Sequence, residues 1–277
     1  SSFLFLYSYI KRKMDLYLQN KNALVCGSTQ GIGKATAILL AKEGANVTLI
    51  ARNEEKLKAV LEELNTYQLE QGIEQCHSYL VADFSKPEEL KKVIENSNLQ
   101  FHILVNNTGG PRSGAILDAT LDEFQQAFSQ HLLCNHILVQ AVVPFMKTQC
   151  FGRIINVIST SVKEPIPGLG VSNTIRNAVG NWSKTLAEEI GSHGITVNNV
   201  LPGFTETVRL SEIIKIKAKN ENTTIEHMTA TMKNYSPAKR FAKPEETASA
   251  IVFLASEKAS YINGINLPVD GGRTKSL

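Results

Sequence analysis

The stretch Ala23-Leu24-Val25-Cys26-Gly27-Ser28-Thr29-Gln30-Gly31-Ile32-Gly33 decides the fold. An apolar run of strand length passes directly into a glycine-rich turn and then into residues 32–43, whose apolar positions recur at helical spacing. The glycines permit a tight turn and a close approach of backbone to a bulky anion, while the N-terminus of the following helix favours negative charge. The turn therefore reads as a cradle for a pyrophosphate, formed by Gly27, Ser28, Thr29, Gly31, Ile32 and Gly33. A glycine triplet alone is a weak sign, because such turns also arise from packing; its place between a strand and a helix gives it weight.

Outward from this point the same alternation repeats. Apolar runs at 23–26, 47–51, 76–82, 103–106, 153–158, 196–201 and 265–269 are separated by segments of helical period at 32–43, 54–70, 88–97, 121–146 and 175–192. Several runs are continuously apolar, as strands covered on both faces require. The pattern predicts an α/β fold of the Rossmann type: a doubly wound, parallel, seven-stranded sheet with helices on both faces. One domain is expected over 14–277, with residues 1–13 a disordered or tag-like extension. The polar stretch 209–239, rich in Lys, Asn and Thr, reads as a mobile lid.

Composition narrows the function classes. The chain has 277 residues, 43% hydrophobic and 20% charged, which is the balance of a folded globular protein. A formal net charge of +3 with both signs interspersed offers no basic stripe for nucleic acid. The apolar run 3–10 is too short to span a bilayer, so no membrane partner is expected. Cys26, Cys76, Cys134 and Cys150 are widely spaced and form no CxxC pair, which favours a reduced, cytoplasmic setting.

Four further motifs follow the glycine turn in order: Asn106-Asn107-Thr108-Gly109 after the fourth strand, Asn156-Val157-Ile158-Ser159 after the fifth, Pro202-Gly203 after the sixth and Asp270-Gly271-Gly272 near the end. Together they resemble the ordered signature of the short-chain dehydrogenase/reductase family, over nearly the whole chain from residue 22. The resemblance implies that Asp83 and Phe84 lie at an adenine, that Asn107, Thr108 and Gly109 line the adenosine side, and that Pro202, Gly203 and Thr205 lie near a nicotinamide. The plainer reading of Asn106 and Asn107 is that they tie the sheet together. The second strand ends Ala51-Arg52-Asn53, with no carboxylate to accept the ribose hydroxyls of NAD; Arg52 suits the 2′-phosphate of NADP, so NADP is the expected cofactor and NAD the second candidate.

The family's catalytic pattern is altered. A Tyr and a Lys four residues later are implied on the helix after the fifth strand, but alignment through Trp182-Ser183-Lys184 puts Ser172 and Arg176 there. His131 stands where an Asn is usual, and Ser159 matches the family's catalytic Ser. The segment 172–176 resembles a subgroup similar to 3-oxoacyl-[acyl-carrier-protein] reductases that lacks the usual Tyr and Lys. Four Tyr-x-x-x-Lys strings elsewhere, at Tyr7/Lys11, Tyr9/Lys13, Tyr17/Lys21 and Tyr235/Lys239, lie before the first strand or contain Pro237 and read as coincidences.

The leading expectation is an NADP(H)-dependent oxidoreductase moving hydride between nicotinamide and a small carbonyl or alcohol substrate, an acyl thioester among the candidates. Ser159 would polarise the oxygen, with protonation through Ser172, His131 or water. The alternatives are a nucleotide-binding sensor or assembly protein that has lost catalysis, and a dehydratase or epimerase on the same scaffold. Arg112, Lys163 and Arg209 hint at an anionic or carrier-bound substrate. By resemblance, the chain is expected to form a homotetramer or homodimer.

Overall fold

This computed structural model describes residues 14–71 and 74–276; the tail 1–13, with the strings Tyr7/Lys11 and Tyr9/Lys13, lies outside the described residues. Strands β1 (Asn22–Cys26), β2 (Asn46–Ala51), β3 (Ser78–Val81), β4 (Ile103–Asn106), β5 (Gly152–Val157), β6 (Ile195–Pro202) and β7 (Asn266–Val269) form one sheet in the order 3-2-1-4-5-6-7. Every pairing is parallel. The seven expected strands are all present, within three residues at each end.

Alternate residues of each strand feed two separate cores, as the period of two dictates. Ala23, Val25, Val47, Leu49, Ile103 and Val105 point to one face, where α1 (Gly31–Lys42), α2 (Glu54–Gln71) and α9 (Pro244–Ala255) cover them. Leu24, Cys26, Ile50 and Leu104 point to the other, against α3 (Pro87–Ser97), α5 (Cys134–Thr148) and α6 (Gly170–Ile190). Both faces are thus closed by helices, and binding is left to the carboxyl ends of the strands.

A row of amides crosses the sheet from the core out to its β7 edge. Asn106, Asn156, Asn199 and Asn266 stand in register on β4 to β7. Asn106 Nδ2 donates to Asn156 Oδ1 (2.8 Å), Asn156 Nδ2 to Asn199 Oδ1 (3.0 Å) and Asn199 Nδ2 to Asn266 Oδ1 (2.8 Å). Ser183 Oγ, from α6, adds a bond to Asn199 Oδ1 at 2.8 Å. Buried polar groups are in the great majority paired, and three hydrogen bonds join these four amides end to end. Asn106 therefore ties the sheet, the plainer of its two readings.

Two segments differ from the expectation. Residues 209–239, read as a mobile lid, are largely helical: they hold α7 (Val208–Asn220) and α8 (Ile225–Asn234), each with a threonine cap, Thr207 and Thr224. Leu210, Ile214 and Ala218, one helical turn apart, meet Met228, Met232 and Phe241 in a small core of their own, and that burial outweighs the polar composition. The single helix expected at 121–146 is α4 (Leu121–Phe128), a π turn (Ser129–Leu133) and α5. Tyr17 has φ 54° in the turn before β1, and α8 ends before Tyr235, so neither of those Tyr-x-x-x-Lys strings lies on a helix.

Candidate active site

The ends of β1, β2, β3, β4, β5 and β6 surround one cleft of about 820 Å³. Gly27, Thr29, Gly31 and Ile32 line its floor at β1, where the sheet order reverses direction. Gly31 has φ +55°, a conformation that a side chain strains, and a Cβ there would stand 3.1 Å from the Thr207 methyl on the opposite wall. Gln30 gives α1 no side-chain cap, so the first amides of that helix stay free for an anion. Gly33 does not line the cleft; a Cβ there would overlap the Gly27 carbonyl, so this glycine seats α1 against the strand. Ser28 is fully buried and accepts a bond from Ile50 N–H (3.1 Å), which makes it a support for the turn and not a wall of the cleft.

Arg52 and Asn53 line the cleft after β2, and Lys56 joins them from the first turn of α2. The sequence offered a signal for Lys56, one turn beyond Asn53, whose Oδ1 accepts the Lys56 N–H. Asp83 and Phe84 follow β3. Burial alone would raise the Asp83 pKa, but hydrogen bonds from Ser85 and the charges of Arg52 and Lys86 outweigh it and hold the carboxyl below its ordinary range. Asn107, Thr108 and Gly109 line the cleft after β4, and Asn107 Nδ2 also reaches the Cys26 and Gly27 carbonyls at 3.3 and 3.4 Å. Asn107 thus ties the β1 turn to the end of β4 while lining the cleft. Pro202 and Gly203 lie on the β6 side. Thr205 does not: it is buried, and its Oγ1 donates to Gly203 O at 3.2 Å.

Ser159, Ser172 and Arg176 line the same cleft. Ser159 Oγ accepts from Ser161 N–H at 3.1 Å, which leaves its own hydrogen free to donate. Ser172 and Arg176 stand one turn apart on α6, 9% and 7% exposed. Arg176 Nη1 donates to Val157 O at 3.1 Å, while its buried Nε has no partner. Burial pulls the guanidinium down to about 10, so it stays charged at neutral pH. Ile166 and Leu169, from the loop 163–170 after β5, also line the cleft, as do Phe204, Thr207 and Arg273, which were not singled out from the sequence because nothing in their type marks them.

His131 is a neighbour of the site and not part of its wall. The π turn carries it inward, where it is 1% exposed with Nδ1 2.7 Å from Thr108 Oγ1 and Nε2 unpartnered. Burial, and then the charge of Arg176, lower its pKa to about 2. An imidazole so placed is neutral near pH 7 and holds no second proton to give. His131 protonates readily only when the chain unfolds, so native stability is fully present above pH ~6.5 and is lost as pH falls from there toward the folded value. Each pH unit in that window costs about 1.4 kcal/mol. Thermal melts at pH 7.5, 5.5 and 4.5 are expected to fall more steeply for the unsubstituted chain than for His131→Asn; equal slopes would refute the assignment.

These residues fit a dinucleotide: a turn opened by glycine, free helix N-terminal amides and two cations beyond β2. The family described as Enoyl-(Acyl carrier protein) reductase matches residues 27–274. The oxidoreductase YvrD of Bacillus subtilis is 34% identical over 95% of this chain and 100% of its own, and the 3-oxoacyl-[acyl-carrier-protein] reductase FabG of Staphylococcus epidermidis is 34% identical over 91% and 98%. The structure of L-sorbose reductase from Gluconobacter frateurii, complexed with NADPH and L-sorbose, superposes with a TM-score of 0.87 at 32% identity, covering 95% of this chain and 100% of the other. The chain belongs to the short-chain dehydrogenase/reductase family of NAD(P)-dependent oxidoreductases. Within that family it is FabG-like.

Proposed function

We propose that this protein is an NADP(H)-dependent reductase of a carbonyl compound, working reversibly on the corresponding alcohol, with Ser159, Ser172 and Arg176 at the reacting centre. The observation that carries the reading is the convergence of those three side chains in the same cleft as the glycine turn and Arg52. Bound there, the nicotinamide supplies the hydride. Ser159 donates its free hydroxyl hydrogen to the substrate oxygen and orients the carbonyl. Arg176, charged and nine-tenths buried, stabilises the negative charge that grows on that oxygen, a fixed field in a water-poor site. The proton that completes the alcohol comes from water at the open side of the cleft, relayed by the Ser172 hydroxyl, since His131 is neutral and Arg176 does not release its own.

The 3-oxoacyl thioester in the name of the FabG relative is the first substrate to test. NADPH oxidation with it and with a panel of ketones is expected, and Ser159→Ala is expected to lower kcat by about 10²–10³-fold; full activity in that variant would remove Ser159 from the reaction. Arg52 and Lys56 favour NADP over NAD by pairing with the 2′-phosphate. Arg52→Ala is expected to weaken NADPH binding, measured by calorimetry, while leaving NADH binding nearly unchanged. Equal affinities for the two in the unsubstituted chain would reverse the assignment. Among the described residues no helix is long and apolar enough to cross a membrane, and the four thiols form no disulfide, which supports a cytoplasmic setting. Exposed Phe128 and Leu133 on the α4–α5 face support a homodimer or homotetramer.

A further inference from the structure

The charges lining the cleft are unbalanced, with Arg52, Lys56, Arg176, Arg209 and Arg273 against Asp83 alone. Arg52 and Lys56 lie at the β2 end, where the 2′-phosphate is expected, and the pyrophosphate has the α1 N-terminus. The three arginines at the other end therefore lack an anion that the cofactor provides. Arg209 is partly engaged, with Nη2 on Pro111 O (2.8 Å) and Nη1 3.8 Å from Glu212. Arg176 and Arg273 pair with no carboxylate among the described residues. Asp270 and Glu164 lie close to Arg273 along the chain or the loop, but both are held by backbone amides: Asp270 by Gly272 and Thr274, Glu164 by Lys275 and Ser276.

The two guanidinium groups bracket the residue that holds the carbonyl. Arg176 donates to Val157 O, two residues before Ser159; Arg273 Nη1 donates to Thr160 Oγ1 (2.9 Å), the residue after it, and lies 4.8 Å over the Phe204 ring. Of the five donors on Arg176, one is used within the protein, and its buried Nε–H has no partner. A buried donor of that kind costs stability unless a ligand engages it, and a planar guanidinium is shaped to grip a carboxylate through two parallel bonds.

We propose, resting on the reductase reading above, that the substrate is a short oxo-carboxylic acid whose free carboxylate, one or two carbons from the carbonyl, is held by Arg176 and Arg273 while its carbonyl oxygen sits on Ser159. Hydride adds to the carbonyl carbon, the C=O π pair passes to oxygen, and a proton from water completes the hydroxy acid; the carboxylate keeps its charge throughout. Neutral ketones and thioesters leave both guanidinium groups without an anion.

The test compares 2-oxo and 3-oxo acids with their own methyl esters, with simple ketones and with a 3-oxoacyl thioester, using the full chain and NADPH. Acids are expected to exceed their esters at least 100-fold in kcat/KM, and Arg273→Met is expected to lower that ratio at least tenfold. Independently of turnover, hydroxy acids are expected to bind the NADP-saturated protein by calorimetry, and their amides not to. Activity on esters, ketones or thioesters equal to that on the acids overturns the carboxylate assignment and leaves the reductase reading standing. Hydroxy acids and amides that bind equally overturn it as well. If Arg176→Gln weakens NADPH binding but leaves the acid-to-ester ratio unchanged, the guanidinium serves the cofactor and the assignment fails. A chain that binds NADPH yet oxidises it with no carbonyl compound overturns the reductase reading itself.

Discussion

Ser172→Tyr combined with Arg176→Lys is expected to raise NADPH-dependent reduction of a simple ketone by about 10²–10⁴-fold, the usual contribution of a positioned general acid. The present site has a hydrogen-bond donor in Ser159 and a fixed charge in Arg176, but no side chain that yields a proton near neutral pH. His131 is held neutral by burial, and Arg176 keeps its proton even with its pKa pulled down to about 10. A phenol at 172 would stand on the cleft wall one turn from a Lys ammonium, whose charge lowers the phenol pKa toward the working range. Initial rates with a ketone and with a 3-oxoacyl thioester measure the gain, with NADPH affinity and melting temperature as controls. A folded, NADPH-binding double variant no faster than the parent would show that proton delivery does not limit the reaction, and the role given to water and Ser172 would fall.

The other large effect is expected from a single methyl group. Gly33→Ala places a Cβ into the Gly27 carbonyl and 2.7 Å from Asn107 Nδ2. Neither neighbour can yield, since Gly27 closes the turn and Asn107 bonds to that same carbonyl. Helix α1 must then lift from the strand, at a cost of about 3 kcal/mol or more for overpacking against backbone. Cofactor affinity is expected to fall at least 100-fold together with a lowered melting temperature. Gly31→Ala offers the contrast: its Cβ meets only the Thr207 methyl, and the strain of a positive φ costs about 1–2 kcal/mol. Calorimetry with NADPH and thermal melts of both variants check this; an unperturbed Gly33→Ala would mean that the turn is looser than described.

Much of this architecture was legible because a parallel sheet buried on both faces writes its strands as apolar runs, unbroken over 23–26 and 103–105 and interrupted only by Thr48 in β2. The glycine turn was legible for a similar reason, since few residue types can make it. The helices at 208–234 were hidden because their buried positions, Leu210, Ile214, Ala218, Met228 and Met232, are sparse among lysines and asparagines. Helix α9 was not read from the sequence, although Pro244 and Glu246 mark its first turn, because its second half, 250–255, is a continuous apolar run that shows no face. In the site, Ser159, Ser172 and Arg176 were read by their chain positions, and the cleft brings them together. The placement of His131 was not readable: one extra residue per turn at Ser129–Leu133 rotates its side chain into the interior, and nothing in the local sequence marks a π turn. Arg273 was missed because it gains its place only from the fold, and Lys56 although its spacing, one turn beyond Asn53, was there to be read.

The amide ladder carries a consequence for how the strand ends are levelled. Apolar patterning forbids a strand from slipping by one residue, because that would turn its core face outward, but it is nearly blind to a slip of two. Such a slip moves each side chain about 6.6 Å along the sheet, beyond reach of any hydrogen bond. Asn106, Asn156, Asn199 and Asn266 therefore act as a key cut for one alignment of β4 to β7, and every other even-numbered setting leaves buried amides unanswered. Asn107, Ser159 and Gly203 sit one to three residues beyond keyed positions or the strand that bears them. Their heights above the sheet are set from within the core, so the loops that follow are free to change length and composition while the reacting groups stay level.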